Sequence, residues 1–168
     1  SLNTAFERLS SGSRINFAKD DAAGQGIATR LAAEVKGLEM ASRNAADAQA
    51  MVDTADGAYQ EVSNMLLRMR EMAVQAENGT LSDADRTALN TEMTALEAEI
   101  TKIADNTEFA GIDLGTSKAV TFQIGAGKDE TIEHTFKDFD AANLNLISSV
   151  ATATAAANTI SVVDAAIS

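Results

Sequence analysis

From residue 38 to residue 76 a single pattern governs the chain. Leu38, Ala41, Ala45, Ala48, Val52, Ala55, Tyr59, Val62, Leu66, Met69, Ala73 and Ala76 follow one another at intervals of three and four residues. Such steps average 3.5 residues, the repeat that keeps one face of a helix turned toward a partner helix. No proline occurs anywhere in the chain, so no ring breaks the hydrogen-bond ladder. Ile27, Leu31 and Val35 form a second, partial stripe leading into the seam. Asp20 or Asp21 can cap the N-terminus, where acidic charge meets the positive end of the helix dipole. Asn78-Gly79 predicts the stop, with glycine in the left-handed conformation. A helix from about 22 to 77 would be roughly 80 Å long, a rod rather than an element of a compact domain.

A second helix is expected after it. Ser82-Asp83-Ala84-Asp85 has capping chemistry, and Leu89, Met93, Leu96, Ile100 and Ile103 repeat at four and three. The short link makes this helix an antiparallel neighbour of the first. Residues 106–115 are turn-rich. The period then changes to two at Val120, Phe122 and Ile124 and again over Thr131 to Phe136, so the Gly125–Asp129 loop predicts a β-hairpin. Residues 141–146 read as a link, and Val150, Ala153, Ala157, Ile160, Val163 and Ile167 resume a helical period. The expected fold is mainly α: an elongated antiparallel bundle of long coiled-coil-like helices with a small β-hairpin. Four segments are expected: 1–23, a helix end and joint; 22–107, two long helices; 108–147, turns and hairpin; 148–168, the start of a further helix. One short helix cannot cover so long a seam. The natural protein is therefore expected to continue past both ends, or to be covered by other subunits.

Composition excludes several functions. With 13 basic against 25 acidic residues the net charge is −12, which disfavours nucleic acid as a general partner. There is no cysteine, hence no disulfide, thiol nucleophile or thiolate metal site. No apolar run has the length of a membrane span or the form of a signal core. Gly125-x-Gly127-Lys128 lacks phosphate-loop spacing and is followed by no helix, so it reads as a hairpin turn. His134, the sole histidine, reads as a surface strand residue. Asp138, Asp140, Asn143 and Asn145 lack the glycine and terminal glutamate of a calcium loop and read as solvated linker. Asn78-Gly79-Thr80 fits a glycosylation sequon, but a helix C-cap accounts for it. No carboxylate pair is placed for acid–base work, so no enzyme and no cofactor is expected. Met65, Met69 and Met72 share a flank with Leu66, as core or as an adaptable contact surface; Arg68 and Arg70 point off the seam.

One stretch remains: ERLSSGSRINFAKDDAAGQGIATRL, residues 7–31, an irregular polar joint ahead of the long helix. It is similar to the N-terminal signature of bacterial flagellin, the subunit of the flagellar filament. Residues 36–114 resemble that family's long core helix, its returning helix and the NTxFxGxxL segment, here NTEFAGIDL over residues 106–114. The resemblance covers about residues 1–136, and Ser148–Ser168 is similar to the start of the C-terminal core helix. It implies a structural subunit that self-assembles for motility, with terminal segments packed as an inner tube. Arg8, Leu9, Ser10, Ser11, Gly12, Arg14, Ile15, Asn16, Asp20, Asp21, Ala22, Ala23 and Gly24 would form the joint between tube and outer core. It implies an extracellular flagellar location reached through the flagellar export channel without a cleaved signal peptide. The implied partners are copies of the chain, an export chaperone and cap proteins. In some flagellins a Toll-like innate receptor reads one side of the core, and the matching positions are Arg68, Met72 and Glu92. Met72 stands where recognised forms carry leucine, and Leu67 where they carry glutamine. With no sizeable outer domain between hairpin and last helix, the resemblance is to a short flagellin. A hook–filament junction protein shares the SSGxRI pattern, though DDAAGQGIATR and MREMAVQAENG are more like flagellin proper. A flagellin-like cell-surface polysaccharide receptor would need stacking aromatics, and this chain has only Tyr59 and six phenylalanines.

Overall fold

A computed structural model describes residues 2–12, 14–16, 21–146 and 149–167. Its elements are α1 (Leu2–Ser11), α2 (Ala22–Glu77), α3 (Asp83–Asn106), β1 (Glu108–Phe109), β2 (Ile112–Asp113), β3 (Lys118–Gln123), β4 (Thr131–Phe136) and α4 (Ala153–Ile167). The mainly helical fold with a small hairpin is as expected, and α2 runs for 56 residues without a break. β3 pairs with β4, and the Ile124 N–H donates to the Glu130 carbonyl at 2.9 Å to close the hairpin loop. The chain divides into two compact units, Ser1–Ala46 with Phe122–Ile132 and Asp47–Thr121 with Glu133–Ser168. Both α2 and the hairpin contribute residues to each.

In the first unit the hairpin tip lies on α2. A Cβ on Gly37 would come within 2.8 Å of the Ala126 Cβ, so a side chain there would push the loop away. Asn44 Nδ2 donates to the Gln123 carbonyl at 3.0 Å, one heptad further on.

The second unit holds the main core. Ala58, Val62, Leu66, Met69, Met72, Ala73 and Ala76 of α2 meet Met93, Ile100 and Ala104 of α3, Phe139, Leu146 and Val150 of the link, and Ala156 and Val163 of α4. Each fully buried Met, Ile or Val contributes about 1.5–3 kcal/mol of transfer free energy. The link just ahead of α4 is fixed by Asn90, whose Oδ1 accepts from the Val150 N–H and the Ser149 hydroxyl, both at 3.0 Å. α3 opens with a capping box. Ser82 Oγ accepts from the Asp85 N–H at 3.3 Å, and Asp85 Oδ2 accepts from the Ser82 N–H at 3.1 Å. The Ser82 bonds hold the Asp85 carboxyl below its usual range.

Two local features differ from the sequence reading. Gly79 does not take a positive φ; among the described glycines only Gly12 and Gly111 do. The Ala76 carbonyl in the last turn of α2, with the Asn78 and Leu81 carbonyls of the turn after it, is instead satisfied by Arg86. Its Nε donates to the Ala76 carbonyl, Nη1 to Leu81 and Nη2 to Asn78, each at 2.9 Å. The guanidinium thus takes the place of a left-handed cap. Within the turn-rich stretch β1 and β2 pair antiparallel, Glu108 with Asp113 and Phe109 with Ile112. The connecting Ala110 (φ 50) and Gly111 (φ 77) both lie in the left-handed region, as a two-residue type I′ turn requires. Strands two residues long carry no readable period. Just beyond, a Cβ on Gly115 would collide with the Ala104 backbone, so only glycine lets this segment lie against the end of α3.

Candidate functional site

α1 presents Leu2, Phe6 and Leu9, at spacing four and three, 77%, 65% and 80% exposed. These three share one helical face. Gly12 follows at φ 66, so the Ser10-Ser11-Gly12 run ends α1 with glycine in the left-handed position. Arg14 is exposed, and Ile15 and Asn16 are half-buried. Asp20 lies outside the described residues, and so does the side chain of Arg8 in α1. Asp21 is the N-cap of α2: its Oδ1 accepts from the Gly24 N–H at 2.8 Å, and its carbonyl accepts from the Gln25 N–H at 3.0 Å. Gly24 follows from that cap. A Cβ there would collide with the Asp21 carboxylate and sit 3.2 Å from Ile15 Cδ1. Ala22 and Ala23 make the exposed first turn. Residues 21–24 thus form a helix cap with no room for a side chain at Gly24.

Along α2 the seam is covered unevenly. Ala41, Ala55, Val62, Met69 and Ala76 are buried, and so are Met51, Ala58 and Met72, one flank over. Tyr59, Leu66 and Ala73, on the other flank, are covered. Their equivalents one to three heptads earlier, Leu38, Ala45 and Val52, are exposed. Ile27, Leu31, Val35 and Leu38 are each half-exposed, at 51%, 51%, 54% and 51%. Large apolar side chains recurring on one face, without cover among the described residues, form the feature of a docking surface.

Arg68 and Glu92 come together. Arg68 Nη2 donates to Glu92 Oε1 at 2.9 Å and its Nη1 to Glu71 Oε2 at 3.3 Å. The Glu92 bond is the largest cause of a raised Arg68 pKa. Met72 does not join them at the surface: it is fully buried in the core, while Leu67 is 49% exposed. On the opposite flank Arg70 Nε donates to Asp164 Oδ1 of α4 at 2.6 Å. The two arginines are off the seam and exposed, each tying α2 to a different helix.

The remaining motifs resolve into local structure. In the glycine loop Glu130 Oε2 accepts from the Gly127 N–H at 2.8 Å, so the chain's own carboxylate fills the turn. His134 is exposed on β4 and stacks edge-on against Phe136, ring centroids 4.7 Å apart. Asp138 accepts from the Asp140 N–H and from Asn143 Nδ2, and Asp140 accepts from the Thr101 hydroxyl, a set of turns folded against α3. Among the described residues no His, Asp and Glu group is arranged to hold a metal, and no helix is long and apolar enough to cross a membrane. Arg86 carried no recognisable sequence signal beyond being the sole basic residue between Arg70 and Lys102.

Residues 1–115 match the family described as the bacterial flagellin N-terminal helical region. The chain is 48% identical over 134 residues to the B-type flagellin of Pseudomonas aeruginosa, covering 79% of this chain and 28% of that protein. It is 47% identical over 146 residues to the flagellin of Salmonella muenchen, covering 86% and 29%. The crystal structure of Bacillus cereus flagellin superposes with a TM-score of 0.65 at 32% identity, covering 74% of each chain. The sequence spans under a third of the length of the first two of these relatives. With the family match running over residues 1–115, through the long seam and the NTEFAGIDL turn, this chain belongs to the bacterial flagellin family.

Proposed function

We propose that this chain is the helical core part of a structural subunit that builds the extracellular flagellar filament by self-assembly, without catalysis. The observation that carries the reading is the pair of uncovered apolar faces, Leu2, Phe6 and Leu9 on α1 and Ile27, Leu31, Val35 and Leu38 on α2, in a member of the flagellin family. Apolar area left in water in one chain is available for burial between chains. Segment 1–23 then acts as the joint between packing layers, and 22–107 as the outer core. An export chaperone and cap proteins are partners by the same family reasoning. Recognition by a Toll-like innate receptor would use the face of Arg68, Met72 and Glu92, of which Met72 is buried in the core.

Seeded growth tests the proposal. Full-length protein added to preformed filaments should extend them, as seen by electron microscopy, and Leu31→Glu or Leu38→Glu should stop extension while leaving the circular dichroism spectrum unchanged. Folded protein that never extends seeds would refute a filament role and favour the hook–filament junction reading.

A further inference from the structure

The Asn78-Gly79-Thr80 turn is not used by any assembly feature, yet its geometry is chemically pointed. It is the one Asn-Gly step in the chain. The turn is exposed, and a Cβ built on Gly79 meets nothing within 4 Å. Asn78 Oδ1 accepts from the Thr80 N–H at 3.2 Å, which folds the side-chain amide back over the following peptide. The Gly79 N–H donates to no group among the described residues. The Asn78 main-chain carbonyl accepts from Arg86 Nη2 at 2.9 Å and from the Leu81 N–H at 3.2 Å.

We propose that this turn is a self-modification site, at which Asn78 deamidates through a cyclic imide and Arg86 directs the product toward isoaspartate. The Gly79 nitrogen loses its proton to solvent base and attacks Asn78 Cγ. The new C–N bond closes a five-membered ring, and the side-chain nitrogen leaves as ammonia. Negative charge develops on Oδ1 during the attack, the atom on which the Thr80 N–H sits, so the donor that fixes the rotamer also stabilises the oxyanion. Water then opens the ring at one of its two carbonyls. Attack at the former side-chain carbon gives aspartate. Attack at the main-chain carbon breaks its bond to the Gly79 nitrogen, leaves a free α-carboxylate and routes the chain through the side chain. The guanidinium already donates to the oxygen of that main-chain carbon; it polarises this carbonyl and forms a charge-assisted hydrogen bond to the carboxylate that results. The net change is water in and ammonia out.

The experiment is ageing of the intact protein at mildly alkaline pH, followed by peptide mapping of residues 71–86, the tryptic fragment between Arg70 and Arg86. Isoaspartate is separated from aspartate by fragmentation or by an isoaspartyl methyltransferase. A urea-unfolded sample and the variant Gly79→Ala run alongside. The added methyl has open space, so this variant should keep the wild-type melting curve, while its side chain crowds the attacking nitrogen and slows conversion by about tenfold. The expected result is conversion in the folded protein at least as fast as in the unfolded one, with a larger isoaspartate share. A folded protein that stays unmodified while the unfolded one converts would overturn the site. Equal isoaspartate shares in the two would overturn the role of Arg86.

Discussion

Arg86 shows how much one side chain can settle. It is 8% exposed and spans the Ala76 carbonyl of α2 and two carbonyls of the turn that follows, work often done at helix ends by glycine and water. Arg86→Met removes these bonds while keeping the apolar stem, and should cost about 2–3 kcal/mol, read by urea denaturation. An unchanged midpoint would mean that water satisfies those carbonyls equally well. Tyr59 offers a second test at this scale. Its hydroxyl donates to the Lys137 carbonyl at 2.9 Å and accepts from the Lys137 N–H at 3.1 Å, with its ring edge-on to Phe139 at 4.8 Å. Burial is the main cause that pushes its pKa up. A raised folded pKa favours the neutral phenol, so this contribution is complete below the unfolded value of about 10 and is lost as pH rises through the folded value. As the sole tyrosine, with no tryptophan, it reports alone in an absorbance titration. The folded midpoint should lie above that in urea; coincident midpoints would place the hydroxyl in water.

Among the elements, α2 separates two consequences of the same substitution. Ala55 is 1% exposed, so Ala55→Glu puts a carboxylate against the core and should destabilise by about 3 kcal/mol or more, lowering the melting temperature. Leu38→Glu, on the uncovered flank, should shift stability by no more than about 0.5 kcal/mol. Equal losses at both positions would show that the two flanks are covered alike. The seam itself was legible because a 3.5-residue repeat needs no knowledge of the partner. Only the Met72 end of the second flank was legible; Met51 and Ala58 were not, because glycine and asparagine interrupt that flank at Gly37 and Asn44, where the hairpin tip lies close and accepts a polar contact. α3 began where its cap predicted. Ser82→Ala removes one half of the box and should cost about 1 kcal/mol; since the Asp85 carboxyl is held low, its share of stability is present above about pH 4 and lost as pH falls through the folded value.

For the whole molecule the decisive quantity is apolar surface still in water. A chain that folded into a closed monomer would be expected to cover Leu2, Phe6, Leu9, Ile27 and Leu31, and each of these is at least half-exposed. Single glutamates on either face should therefore be silent in folding and lethal in seeded extension. A paired measurement of melting temperature and filament length in one variant series decides this, and parallel losses in both would argue for a folding defect instead. Under the proposed filament role, the net charge of −12 on these 168 residues adds a salt dependence: like-charged copies repel, and extension should quicken as ionic strength screens them.

Order, type and period of the helices were determined by the sequence alone, because hydrophobic spacing and capping chemistry act over a few neighbouring residues. Family membership was legible for the same reason, being carried by contiguous runs. The tertiary structure alone decided which flank of α2 is covered at which heptad, that Met72 is buried while Arg68 is exposed, and that Arg86 closes α2. Each depends on groups brought together across turns or from different elements. Spacing can specify that a face is apolar, but what packs on that face is set by the rest of the fold.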